Sequence, residues 1–218
     1  MINILVVDDH PIIRYGLKQI ISDEKDMVVS GEAENAAGLF RLLELNKFDI
    51  LILDIGLPDI NGYQALKRIK SAKPFLPVLI LTGRPEYQFI NVTIKEGADG
   101  FLNKNETSEH LISAIRAIVE GGFYIAPGLR ERILIELKKF TENIFIESLI
   151  DIELKILYLV IGGNTNREIS EILKIRISAI DAYHSVLLRK LGLANDKELM
   201  RYCILEYLPH GFSFAMNT

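Results

Sequence analysis

ILILDIGLP, residues 50–58, decides the fold. Four consecutive apolar residues run straight into Asp54, with Gly56 and Pro58 close behind. A half-buried strand would alternate. An unbroken apolar run of this length, ended by an acid and turn formers, predicts a strand buried on both faces of a parallel sheet. Outward from it the same form recurs at 2–7 (INILVV) and 78–81 (VLIL), and more briefly at 27–30 (MVVS) and 100–102 (GFL). Helical patterns fill the intervals. Ile12, Leu17, Ile20 and Ile21 follow Pro11, a residue suited to a first helical position. Leu39, Leu42, Leu43 and Leu45 mark a second helix, and Leu66 and Ile69 a third behind the Asn61-Gly62 turn. Pro85 opens a fourth, and Thr107 caps a fifth carrying Leu111, Ile112, Ile115 and Val119. Five strands alternating with five helices predict a doubly wound α/β domain over 1–121.

Gly121-Gly122 ends the alternation, and no convincing strand pair follows. Residues 122–147 read as a linker containing a charged amphipathic helix at 130–140. Helical patterns at 152–161, 166–173, 178–191 and 197–208 predict a smaller all-α domain over 148–210, with 211–218 as a tail. The 218 residues accommodate two domains of ordinary size. With 49% hydrophobic and 25% charged residues, the composition is that of a soluble globular chain. No uncharged apolar stretch approaches the roughly 18 residues of a membrane span, and MINILVVDDH reads as a strand rather than a secretion signal. A single cysteine, Cys203, excludes an intrachain disulfide and suits a reducing cytoplasm.

The strand ends carry the chemistry. Asp8 and Asp9 follow the first strand, Asp54 the third, Thr82 the fourth and Lys104 the fifth. Ligands of open parallel sheets bind outside these ends. Three crowded carboxylates call for a cation, and hard oxygen donors suit Mg²⁺. A lysine and a hydroxyl beside them complete a cradle for a transferring phosphoryl group, with Asp54 as acceptor. Singly, each residue could be an ordinary strand terminus, cap or surface lysine; their convergence favours the functional reading. A dehalogenase-like phosphatase would need a second aspartate two positions after the nucleophile, where Gly56 stands, and a flavin-binding domain of this fold has no use for the acids.

VVDDHP (6–11), LDIGLPDINGYQAL (53–66), LTG (81–83) and GADGFLNK (97–104) resemble the four signature segments of receiver domains, flavodoxin-like or CheY-like in fold. The resemblance implies phosphorylation of Asp54 by a sensor histidine kinase. It further implies Mg²⁺ held by Asp8, Asp9, Asp54 and the Gly56 backbone carbonyl, and phosphoryl contacts from Thr82 and Lys104. Phe101 stands at the position of the rotating aromatic of the family, or is plain core. The same resemblance implies that Gly56 and Arg84 flank the path of the hydrolytic water.

NTNREISEILKI (164–175) and LLRKLGL (187–193) resemble the helix-turn-helix output of the NarL/FixJ (LuxR-type) response regulators, as does the GGFYIAPGLRERIL linker (121–134). That family opens its recognition helix with Ser-x-x-Thr-Val-Lys-x-His. Here those positions are Arg176, Ala179, Ile180, Asp181 and Tyr183, so an acid replaces the lysine. Lys174 stands where the turn usually has glycine. Residues 148–218 hold eight basic and eight acidic side chains, a net charge of zero where DNA readers are usually basic. Arg167, Arg176, Arg189 and Lys190 remain candidates for phosphate contacts, and Asp181 for repelling phosphate or reading cytosine. Two outputs stay open: a phosphorylation-controlled transcription factor binding double-stranded DNA as a homodimer, or an output that grips a protein. Leu199, Ile204, Leu205 and Leu208 offer a dimer face or intramolecular packing. No residue set for an external substrate is present, so the chain is not read as an enzyme.

Overall fold

The computed structural model describes residues 1–83, 88–140 and 149–207, which form two compact units divided after Ala126. The helix start at Pro85, Arg84 beside the expected water path, Leu208 and the tail 211–218 lie outside the described residues.

The first unit is a six-stranded, all-parallel sheet in the order β2-β1-β3-β4-β5-β6. Its strands are β1 (Ile2–Val7), β2 (Met27–Ala33), β3 (Ile50–Asp54), β4 (Val78–Thr82), β5 (Gly100–Asn103) and β6 (Tyr124–Ile125). Between and after them run α1 (Pro11–Ser22), α2 (Ala36–Leu45), α3 (Gly62–Ala72), α4 (Gln88–Lys95) and α5 (Thr107–Val119). Every residue of β3 and β4 is buried, as the unbroken apolar runs require. Truncating such a residue, Ile52 for example, would cost on the order of 2–5 kcal/mol. The chain crosses from β1 to β2 on one side and then to β3 on the other, so the strand order reverses between β1 and β3. Asp8, Asp9 and Asp54 stand at that reversal.

β6 corrects the expectation that strands end at Gly121-Gly122. Gly121 adopts φ +87°, and Gly122 N–H bonds back to Ala117 O at 2.9 Å. The chain thereby returns to the edge of β5, where Tyr124 and Ile125 pair with Gly100 and Phe101. Two buried residues are too few to show any periodicity.

The second unit contains α6 (Pro127–Phe140), α7 (Asp151–Ile161), α8 (Asn166–Leu173), α9 (Ile177–Leu191) and α10 (Asp196–Tyr207). Helix α6, expected as a linker, buries Leu129, Ile133 and Leu137 and packs on α10 and α7. Leu199 and Ile204 of α10 are fully buried in the same core, so they do not form a dimer face. Ile172 is 53% exposed, and α8 buries Ile169.

Candidate functional site

At the C-terminal sheet edge, Lys104 Nζ lies 2.7 Å from both Asp8 Oδ2 and Asp54 Oδ2. Strand β5 ends at Asn103, and a short 3-10 turn at Lys104–Glu106 aims the lysine inward. Burial opposes its charge, yet hydrogen bonds and the charges of Asp54 and Asp8 prevail and hold the ammonium above its ordinary value. The other Asp54 oxygen accepts the Gly56 N–H at 3.0 Å, and Asp8 Oδ1 accepts the His10 N–H at 2.9 Å. Asp8, Asp54 and Thr82 are buried, while Asp9 is partly exposed.

Asp8, Asp9, His10 and Asp54 offer ligand atoms all within 4.8 Å of one another. Asp8 Oδ2 and Asp9 Oδ1 are buried without a well-angled hydrogen bond. Their close neighbours are Lys104 Nζ and, at 2.6 Å, His10 Nδ1. Three carboxylates against one ammonium, with oxygen lone pairs to spare, fit a hard divalent cation. His10 was not singled out in the sequence, although it directly follows the acid pair in VVDDHP.

A cleft of about 840 Å³ opens above these groups, lined by His10, Asp54, Gly56, Thr82 and Lys104 together with the loop after β3. Two residues shape that loop. Gly62 is obligatory by close approach, since a Cβ would collide with the Ile55 backbone, to whose carbonyl Gly62 N–H bonds at 3.0 Å. Asp59, also unnoticed in the sequence, accepts the Ala36 and Ala37 N–H groups at 2.9 and 3.1 Å. It ties the loop to the start of α2, which Asn35 caps in the usual way. Phe101 is buried on β5, its backbone paired with Ile80 and Ile125.

In the second unit, α8 and α9 form a helix-turn-helix. Thr165 and Glu168 close a capping box at the start of α8. Lys174, at φ 55° and ψ 41°, is the left-handed turn residue, with about 1 kcal/mol of strain that glycine would not have. Ser170 Oγ donates to Ile175 O at 2.6 Å and fastens the turn. Arg176 precedes α9 and gives no side-chain cap, so the first-turn N–H groups lack that partner.

The charged candidates divide. Lys190 donates to the buried Glu153 at 2.6 Å. Burial alone would raise the Glu153 carboxyl, but Lys190 and the Ile150 N–H hold it below its ordinary range. Arg167 reaches Glu171 at 3.5 Å. Lys174, Arg176 and Arg189 are exposed and make no ion pair among the described residues. Asp181 is exposed, and its Oδ1 accepts from Asn166 Nδ2 at 2.8 Å. A carboxylate only accepts, so the Asn166 amide oxygen faces His184 Nδ1, 3.1 Å away. His184 Nε2 lies 2.7 Å from Asp196 Oδ1. The hydrogen bonds Asp181–Asn166–His184 thus join α8 to α9, and Asp196 at the start of α10 lies beside the histidine.

Comparison with known proteins identifies both domains. Residues 4–116 match the response regulator receiver domain, and 147–203 match the bacterial regulatory proteins of the luxR family. The chain is 31% identical over 207 residues to the response regulator UvrY of Escherichia coli K12, covering 94% of each protein. It is similar to the solved structure of a LuxR-family two-component response regulator from Aurantimonas sp. SI85-9A1. That match has 30% identity and a TM-score of 0.59, over 62% of this chain and 97% of that one. It is also similar to the RcsB response regulator of Salmonella typhimurium, studied for its DNA interaction, at 25% identity and a TM-score of 0.58. That match covers 92% of this chain and 97% of RcsB. The chain belongs to the two-component response regulators that join a receiver domain to a LuxR-family helix-turn-helix output domain.

Proposed function

We propose that Asp54 accepts a phosphoryl group from a sensor histidine kinase, and that the modified chain regulates transcription by binding double-stranded DNA as a homodimer. The observation that carries the reading is the Lys104 ammonium bridging Asp8 and Asp54 where the strand order reverses. The Asp54 carboxylate oxygen attacks phosphorus; the new O–P bond forms as the P–N bond to the imidazole of the kinase breaks. In this reading Lys104 follows the charge from the carboxylate to the phosphoryl oxygens, and the Thr82 hydroxyl donates to one of them. Asp8, Asp9, Asp54 and the Gly56 carbonyl would hold Mg²⁺, which when bound neutralises charge between acceptor and phosphate. His10 is the remaining nearby donor. The added charge, about −1.5 to −2, biases Thr82, Lys104 and the buried Phe101 toward a second arrangement.

On the output side, Lys174 and Arg176 beside an uncapped helix N-terminus, with Arg189 farther along α9, suit phosphate contacts. Asn166 holds one oxygen of Asp181, which fixes the direction in which the carboxylate points. Among the described residues no helix is long and apolar enough to cross a membrane, and we place the chain in the cytoplasm with its kinase and DNA. Burial pushes the lone Cys203 thiol up to about 12, so it stays protonated and inert. The limits 1–121, 122–147, 148–210 and 211–218 serve as the working division, with α6 acting as part of the output.

Intact-mass measurement after exposure to a small phosphodonor and Mg²⁺ tests the acceptor. Wild type should gain one phosphoryl group and Asp54→Asn none; equal uptake would overturn the assignment.

A further inference from the structure

We infer that α9 selects its DNA through thymine methyl groups, with Ile177 as the specificity-determining residue. This rests on the DNA-binding reading above and names what that surface recognises.

Helical spacing divides α9 into two faces. Ile180, His184 and Leu187 are buried. Ile177, Ser178, Asp181, Ala182 and Ser185 are exposed. Recognition helices of this motif present their N-terminal residues to base edges in the major groove. The usual bidentate readers are arginine or lysine for guanine and asparagine or glutamine for adenine. None of them occurs on the exposed face from Ile177 to Ser185. The nearby amide of Asn166 has both ends engaged, on Asp181 and His184. One oxygen of Asp181 is likewise used to hold α8.

The start of the helix instead presents an aliphatic group. Ile177 is 48% exposed, a β-branched aliphatic side chain at the first helical position, directly after the N-cap residue Arg176. The distinctive apolar group that base pairs offer in the major groove is the thymine C5 methyl. Ala182 adds a second apolar contact farther along the helix. Ser178 and Ser185 are small enough to let the backbone approach. Lys174, Arg176 and Arg189 supply the complementary charge around this face and set its register on the phosphates without reading sequence.

The test uses the full chain, treated with phosphodonor and Mg²⁺, to select duplexes from a random library. Enriched sites are then titrated with thymine replaced, position by position, by deoxyuridine, which lacks only the methyl. Wild type should enrich thymine and lose about three- to fivefold in affinity at one or more replaced positions, the expected effect of one buried methyl. Ile177→Ala should lose that difference at its own position, and Ile177→Val should restore part of the discrimination. Enrichment of guanine or cytosine without methyl dependence overturns the inference while salt-sensitive random-duplex binding sustains the DNA reading. Equal methyl dependence in wild type and Ile177→Ala overturns the role of Ile177. Absence of binding to any duplex removes both.

Discussion

Lys174 shows how one residue can serve two opposed demands. Its left-handed backbone costs stability that glycine would recover, while its ammonium stands free of ion pairs among the described residues beside the uncapped start of α9. Lys174→Gly should therefore stabilise the output unit by up to about 1 kcal/mol in urea titrations. The same variant should bind random duplex more weakly, with a salt slope shallower by about 0.9. Gain of stability without any change in DNA affinity would show that Lys174 does not reach a phosphate. In the receiver, Asp9 is partly exposed, and its Oδ1 lies 2.6 Å from His10 Nδ1. Mg²⁺ should raise the melting temperature of wild type by several degrees when present well above its dissociation constant. Asp9→Asn should lose most of that rise; an equal rise in both proteins would remove Asp9 from the metal site.

Elements are held at their ends by residues that sequence pattern does not advertise. Asp59 is remote from α2 in the chain, yet its carboxylate binds the N–H groups of Ala36 and Ala37. The Ala36 N–H is the chief reason its carboxyl sits below the ordinary 3.8. A lowered folded value means that the bond stabilises above the unfolded value and that the contribution is lost as the pH falls through the folded one. Asp59→Ala should thus destabilise the receiver in denaturant titrations near neutral pH, by about 0.5–1 kcal/mol as for other helix caps. The difference from wild type should close as the pH is lowered past 3.8. A gap that persists undiminished in acid would mean that the loop is held by something other than the Asp59 charge. The Asn35 cap was legible in principle, because it directly precedes its own helix, whereas Asp59 becomes a cap only when the sheet brings the two loops together.

At the scale of the whole molecule the two units are joined by very little chain, since β6 ends at Ile125 and α6 begins at Pro127. The helix expected to be a spacer is core of the output unit, with Ile133 and Leu137 fully buried. Ile133→Ala should cost about 2–5 kcal/mol, read as a lower melting midpoint for the output unit, and leave phosphoryl uptake at Asp54 unchanged. Unaltered melting of the output unit would return α6 to the role of spacer.

The sequence by itself determined the class of each unit. Apolar runs ending in Asp8, Asp54 and Thr82 specify buried parallel strands, and the positions after them converge because every parallel strand ends on the same edge of the sheet. The resemblance to the helix-turn-helix family put Lys174 where glycine usually stands, and the structure gives that residue its left-handed backbone. Only the tertiary structure decided which side chains meet across long stretches of chain. Lys104 bridging Asp8 and Asp54, Asp59 reaching α2, Asn166 clasping Asp181 and His184, and the docking of α6 and β6 all belong to this second kind. The physical reason is that periodicity reports which face of an element is apolar, while the partner of a polar or solvent-edge group is chosen by packing between elements distant in the chain.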